Sequence, residues 1–296
     1  MFTKVVLIAA ILGNTLALRK SKTVSQIFER FHDFHVCFSR SKFSTYLLQP
    51  RNLVIGGGAL NHGAYRFFTK LETSTGICGA SLIAPELLLT AAHWCVLFLL
   101  APSLLLFDVK HLHFAHTTSP SSSVPETAQV GFLSNSNISQ SINISASFDH
   151  PAFNPVSLFY DFKVIKLASP AGPDPVIVPL NSNSSFPTDR ETWLVMGIGD
   201  SDSSSAVGNA GDFVLQGSWV REETKSQCED TRGLSVSYAD SILESMVCAI
   251  KSVTNNPSAR GANACNGDNG GPLMAADYSI PRPADDVGVQ IGVVSW

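Results

Sequence analysis

The stretch GASLIAPELLLTAAH, residues 79–93, decides the fold class, because it consists of short apolar runs broken by Pro85. Similar runs, separated by Gly, Pro, Asn and Ser, recur along the chain: YRFFTKL (65–71), DFKVIKL (161–167), ETWLVMGIG (191–199), FVLQGSWV (213–220) and QIGVVSW (290–296). Many short strands between turn residues, with no helical segments alternating between them, are typical of β-sandwiches and β-barrels. We therefore predict an all-β protein.

The size and charge of the chain narrow the class of protein further. Its 296 residues with 45% hydrophobic content are enough for one large all-β domain or two modest ones. The formal net charge is −4 and only 15% of residues are charged, so there is no basic stripe of the kind that binds nucleic acid. We expect no nucleic-acid partner.

The N-terminal stretch MFTKVVLIAAILGNTLALRK has the features of a signal peptide over residues 1–17. Lys4 precedes an apolar run at Val5–Leu12, and the small residues Thr15 and Ala17 follow it. A membrane anchor is the alternative, but the run is too short to cross a hydrocarbon core of about 30 Å. We expect a secreted, extracellular protein that is not bound to a membrane.

The cysteines and the candidate glycosylation sites agree with secretion. The chain has 6 cysteines, and disulfide pairing is the norm in an oxidising compartment. Asn137, Asn143 and Asn183 each begin an Asn-x-Ser sequon on a polar stretch. Such triplets also arise by chance, so they are candidate glycosylation sites only.

Two segments stand apart from the strand pattern. Residues 18–53 are basic and irregular, which indicates a pro-segment or spacer. Residues 96–107, VLFLLAPSLLLF, are too apolar for a surface loop and too short for a membrane span. This insert is either a buried hairpin or translated non-coding sequence, and we favour the second interpretation.

Three blocks carry side chains suited to acyl transfer. That reaction needs a nucleophile, an imidazole that takes its proton, and a carboxylate that fixes the tautomer of the imidazole. LTAAHWC supplies His93, LFYDFKVIKL supplies Asp161, and NACNGDNGGPL, residues 263–273, supplies the loop where a nucleophile is expected. The order along the chain is histidine, aspartate, loop.

Taken together, these blocks resemble the trypsin-like, chymotrypsin-fold serine proteases over residues 54–296. VIGGG at 54–58 is similar to the activation N-terminus of that family, MGIGD to the strand that usually carries Gly-Trp-Gly, and GVVSW to a substrate-binding strand. The resemblance implies two packed antiparallel six-stranded β-barrels with the site in the cleft between them. It also implies that a protein or peptide is the ligand.

The resemblance assigns roles to individual residues. His93 and Asp161 would be catalytic, Asn269 would stand at the nucleophile position, Asp268 would pair with the amino group of Val54, and the backbone N–H groups of Gly267 and Asn269 would form an oxyanion hole. The remaining assignments are the substrate-pocket residues Asn263, Ser295 and Trp296, and the disulfides Cys78–Cys95 and Cys228–Cys248. Cys265 is either free or joined to Cys37.

Asn269 is the departure with the largest consequence. A carboxamide has no hydroxyl that His93 could deprotonate, and its nitrogen is a poor nucleophile. Loss of the nucleophile in a related triad lowers turnover by about 10⁶. We therefore predict a catalytically silent homologue.

Further departures from the family pattern affect activation, specificity and folding. Cleavage after Arg51 would expose Asn52 rather than Val54, Trp94 stands between His93 and Cys95, and the uncharged Asn263 does not favour Lys or Arg substrates. The family continues beyond the point at which this sequence stops. An incomplete second barrel with exposed strand edges is the resulting expectation.

Three hypotheses for the function follow from the sequence. The first is a secreted, silent homologue that binds a protein or peptide. The second is an active secreted endopeptidase whose sequence is faulty at 269, at 96–107 and at its end. The third is a non-functional fragment.

We expect no cofactor. A metal site at HLHFAH (His111, His113 and His116) is the weaker alternative, because no Cys or carboxylate cluster completes it.

Overall fold

The structure, a computed structural model, describes residues 35–38, 58–60, 63–73, 76–93, 127–182, 192–198, 213–229, 242–243, 246–251, 268–275 and 288–295. The strands are β1 (His35–Phe38), β2 (Gly58–Ala59), β3 (Phe68–Thr73), β4 (Gly76–Ala84), β5 (Leu87–Thr90), β6 (Thr127–Val130), β7 (Gln140–Asp149), β8 (Lys163–Leu167), β9 (Thr192–Gly197), β10 (Gln216–Glu223), β11 (Met246–Lys251), β12 (Pro272–Ala275) and β13 (Val289–Val294). A 3-10 helix at Gly63–Tyr65 and helix α1 at Lys225–Glu229 complete the elements of these ranges. No helix in the described ranges is long and apolar enough to cross a membrane.

The first barrel is a closed ring of strands in the order β3-β4-β5-β8-β7-β6. The pairing of β3 with β6 closes the ring, and all of its strand pairs are antiparallel. Large apolar side chains fill its interior, among them Phe68, Leu82 and Leu88. The predicted all-β class and the first of the two predicted barrels are confirmed.

The second sheet has the strand order β11-β1-β13-β12-β9-β10-β2, and β10 also pairs with β11. The strands β11, β1, β13, β12, β9 and β10 are therefore paired in a ring, as in a barrel. We expected open edges here, and that expectation is corrected: β1, from the N-terminal segment, lies between β11 and β13. The two-barrel architecture itself is confirmed.

Strand β9 joins the cores of the two barrels. Trp193 and Val195 belong to the core of the second sheet, while Leu194 and Met196 pack with the core of the first barrel. Successive side chains of a strand point to opposite faces, so a strand between two barrels is buried on both. This explains why the run WLVM shows no polar alternation.

Backbone hydrogen bonds also connect the barrels. Leu215 N donates to Leu133 O at 2.8 Å, and Asn135 N donates to Phe213 O at 3.1 Å. In addition, Gly79 N donates to Asn269 O at 2.9 Å. These bonds hold the two barrels to each other and the 268–271 loop to the first barrel.

Candidate active site

His93 and Asp161 meet because the strands next to them are partners. His93 follows the end of β5, and Asp161 precedes the start of β8. These strands pair antiparallel, with Thr90 opposite Lys163. In an antiparallel pair the end of one strand lies beside the start of its neighbour. The two residues predicted from separate blocks are therefore brought together at one rim of the first barrel.

The carboxylate of Asp161 orients the ring of His93. Asp161 Oδ2 lies 2.5 Å from His93 Nδ1. The other oxygen, Oδ1, accepts hydrogen bonds from the backbone N–H groups of Ala92 at 2.8 Å and His93 at 2.6 Å. Asp161 is fully buried and the His93 side chain is 15% exposed. With Nδ1 held by the carboxylate, Nε2 is the ring nitrogen left to accept a proton.

Ser295 provides a further donor to the same carboxylate. Its buried hydroxyl donates to Asp161 Oδ2 at 2.5 Å. We assigned Ser295 to the substrate pocket from the sequence and missed this bond. No local signal predicts it, because Ser295 and Asp161 are separated by 134 positions and meet only through the packing of the two barrels.

The loop at 268–271 is held against both barrels by its backbone. Gly270 N donates to Val294 O at 2.8 Å, beside Ser295, and Gly271 N donates to Asp268 O at 2.9 Å. A Cβ added at Gly79 would lie 2.7 Å from the Cα of Gly271, so the backbone of β4 touches the loop. Asn269 itself is partly buried. The loop is thereby fixed near the end of β5, where His93 follows.

Asp268 is buried against strand β9. Asp268 is 1% exposed, and a Cβ added at Gly197 would overlap its carboxylate. Glycine at 197 therefore makes room for this acidic group. The partner assigned to Asp268 from the sequence, Val54, lies outside the described residues.

Replacement of Gly197 by Ala is expected to destabilise the protein by about 1 to 3 kcal/mol, because the added methyl group must displace Asp268 from a packed site. Chemical denaturation measures this loss. The matched control is Gly58→Ala, where a Cβ would meet nothing within 4 Å. Equal stabilities of the two variants would contradict the close packing of Asp268 against Gly197.

Lys163 is a buried amine beside the site. Its Nζ lies 3.1 Å from Asp149 Oδ1, and its side chain is 6% exposed. Burial lowers the pKa of Lys163 from 10.5 to about 8, although the carboxylates of Asp149 and Asp161 act in the opposite direction. The folded protein therefore binds this proton less tightly than the unfolded chain does.

This shift predicts a pH dependence of stability. Between pH 8 and 10.5 the unfolded chain holds more protons at Lys163, so the contribution of this residue to the free energy of unfolding rises with pH in that window. Against Lys163→Met, the wild type should gain on the order of 2 to 3 kcal/mol from pH 7.5 to 10. Denaturant titrations at several pH values test this, and a constant difference would contradict it.

The cysteine predictions are confirmed in one case. Cys228 and Cys248 form a disulfide, with their Cα atoms 6.2 Å apart. Cys78 is also disulfide-bonded, but Cys95 and Cys265 lie outside the described residues. The side chain of Cys37 is not described either. The pairings Cys78–Cys95 and Cys37–Cys265 therefore stay predictions.

Two of the candidate glycosylation sites lie on the surface of the first barrel. Asn143 is exposed on β7, and the exposed Asn137 accepts a hydrogen bond from Arg66 Nη2 at 3.0 Å through its Oδ1. Asn183 lies outside the described residues. Glycosylation at these positions stays a prediction.

Several other predicted positions also lie outside the described residues. They are Asn263, Gly267 and Trp296, the 96–107 insert, and the histidines His111, His113 and His116. Within the part of the chain that the structure describes, no three His, Cys, Asp or Glu side chains are grouped as metal ligands would be.

Comparisons with known proteins agree with this geometry. The chain is 26% identical over 245 residues to trypsin beta of Drosophila erecta, covering 82% of this chain and 78% of the relative. It is 29% identical over 251 residues to glucanase inhibitor protein 1 of Phytophthora sojae, covering 83% and 79%.

A solved structure and a family model extend these matches. Neuropsin, a serine protease expressed in the limbic system of mouse brain, superposes with a TM-score of 0.56 at 22% identity over 81% of this chain and 86% of its own. The family model described as Trypsin matches residues 115–296. Because that match spans more than half of the sequence, the chain belongs to the trypsin family.

Proposed function

We propose that this protein is a secreted, catalytically silent member of the trypsin family that binds a protein or peptide in the cleft between its barrels. The observation that carries the proposal is Asn269, in the loop that backbone hydrogen bonds fix to β4 and β13. A carboxamide has no O–H group for His93 to deprotonate, so no acyl-enzyme can form at this position.

The rest of the site supports retention of a shaped cleft. Asp161 accepts hydrogen bonds from the backbone of residues 92 and 93 and from the hydroxyl of Ser295, and it contacts the ring of His93. The glycines at 270 and 271 allow the loop backbone to pack closely on its neighbours. A preorganised cleft can bind an extended peptide without cleaving it, since binding and bond breaking depend on different groups.

The relatives favour a protein as the ligand. Two of them are glucanase inhibitor proteins, from Phytophthora sojae and Phytophthora infestans, and their name describes action on an enzyme. A protein surface in the cleft fits that name.

Secretion is the second part of the proposal. It is supported by the predicted signal peptide at 1–17 and by the disulfide Cys228–Cys248, which forms in oxidising compartments. Expression of the full sequence in a eukaryotic cell should release the protein into the medium with its first residues removed. Mass spectrometry of the released protein identifies the new N-terminus, and retention inside the cell would contradict secretion.

A defined peptide library tests the binding function. The purified protein is incubated with the library, and mass spectrometry records both bound and cleaved peptides. We expect bound peptides that remain intact, and we expect their binding to be lost in Asn269→Trp, which places a bulky ring at the cleft. Binding that is unchanged by this substitution would place the ligand elsewhere.

The alternative is an active secreted endopeptidase whose recorded residue at 269 is wrong. The specific observation in its favour is the intact arrangement of His93, Asp161 and Ser295, which is the arrangement a working nucleophile would need. An organophosphonate probe distinguishes the two functions when it is applied to protein from the natural source. A covalent adduct at position 269 would establish the active endopeptidase.

A further inference from the structure

The N-terminal segment contributes a strand to the second barrel. Strand β1 pairs in parallel with β11 over its whole length, from His35 opposite Met246 to Phe38 opposite Ala249. On its other side it pairs in parallel with β13, with His35 opposite Val293 and Val36 opposite Val294. A segment with partners on both sides is an interior strand of the sheet.

We propose that His35–Phe38 is a permanent structural strand of the second barrel, which braces the part of β13 that leads into the active site. The part of the 18–53 segment that forms this strand then belongs to the folded domain and is not a detachable pro-segment. A cut anywhere between β1 and β2, including the position after Arg51, would leave the strand bound to the domain.

Strands β11 and β13 need a hydrogen-bonding partner between them, and this supports the role of β1. The remaining sides of β11 and β13 are taken by β10 and β12, and β1 alone connects the two strands within the described part of the sheet. The facing residues Met246, Val247 and Val294 are buried. Buried backbone N–H and C=O groups need partners, and an open sheet edge exposes a row of them. Removal of β1 would create two such edges facing each other.

The end of β13 links this strand to the candidate active site. Val294, which lies opposite Val36, accepts the hydrogen bond of Gly270 N at 2.8 Å. The next residue is Ser295, whose hydroxyl donates to Asp161 at 2.5 Å. A loosened β13 would therefore weaken both the loop that carries Asn269 and the bond that Asp161 receives from Ser295.

A cleavable version of the chain tests whether the strand stays bound. A recognition site for a sequence-specific protease replaces residues 46–51, and the purified protein is cut and passed over a gel-filtration column. We expect the N-terminal fragment to co-elute with the domain in native buffer and to separate in denaturant. The same experiment in a Cys37→Ser background excludes a covalent tether.

Hydrogen exchange then shows whether the strand supports its neighbours. Val36→Pro removes one backbone donor of an interior strand, whereas Val36→Thr keeps it and retains β-branching. In the proline variant we expect amide protection at least 10-fold lower at residues 246–249 and 293–294, with β3–β8 unchanged. A cut fragment that separates in native buffer, or a proline variant in which β11 and β13 keep full protection, would overturn the proposal.

Discussion

Asp161→Ala is expected to lower the free energy of unfolding by about 3 to 5 kcal/mol, because it leaves buried hydrogen-bond donors without their charged acceptor. The substitution removes the acceptor for the backbone N–H groups of Ala92 and His93 and for the hydroxyl of Ser295. Because the Asp161 side chain is fully buried, no bulk water can replace the lost acceptor. Denaturant unfolding at neutral pH measures the loss.

Asp161→Asn is the matched control for shape. Its carboxamide oxygen can still accept the two backbone hydrogen bonds, but its NH₂ group would face the donors of Ser295 and His93. We expect a smaller loss than in Asp161→Ala, and Ser295→Ala should be milder still because it removes one of the donors. A loss under about 1 kcal/mol in Asp161→Ala would contradict a carboxylate that holds the site together.

Gly270→Ala is expected to be the second severe change, with a loss of about 2 to 5 kcal/mol from backbone strain and overpacking together. Gly270 has φ at 81°, a region that side-chain-bearing residues rarely adopt. Its Cβ would also overlap the carbonyl oxygen of Gly79 and the Oγ1 of Thr90, which are hydrogen-bonded to each other at 2.7 Å. The backbone of Gly79 cannot move aside, because β4 is a strand of the closed barrel.

Thermal unfolding measures this effect against Gly63→Ala. Gly63 lies in the 3-10 helix, and a Cβ there would meet nothing within 4 Å. We expect the Gly63 variant to keep the melting temperature of the wild type and the Gly270 variant to lose several degrees. Similar melting temperatures for the two variants would contradict the close packing of the 268–271 loop against the first barrel.

The fold class was readable from the sequence because strand and turn residues alternate on a short scale. The run DFKVIKL, for example, became β8, and the apolar residues before His93 became β5. The pairing of β1 in the second sheet could not be predicted from the sequence. Residues 35–38 lie far along the chain from both of their partners, and parallel pairing on two sides leaves no turn signal nearby.

Part of the candidate site, the pair His93 and Asp161, could be predicted from the sequence for a similar reason. His93 and Asp161 stand next to recognisable strands, and their meeting follows once those strands pair. The bond from Ser295 to Asp161 and the burial of Lys163 depend on how the two barrels and the strands β7 and β8 pack. Such contacts join residues from distant positions and follow from tertiary structure alone.

The rate of peptide-bond hydrolysis by the purified wild-type protein shows whether Asn269 silences the site. Mass spectrometry of a defined peptide library measures the rate, and His93→Ala, prepared in the same way, controls for contaminating proteases. We expect the same rate for both proteins, at the level of buffer alone. A wild-type rate clearly above buffer that disappears in His93→Ala would contradict it.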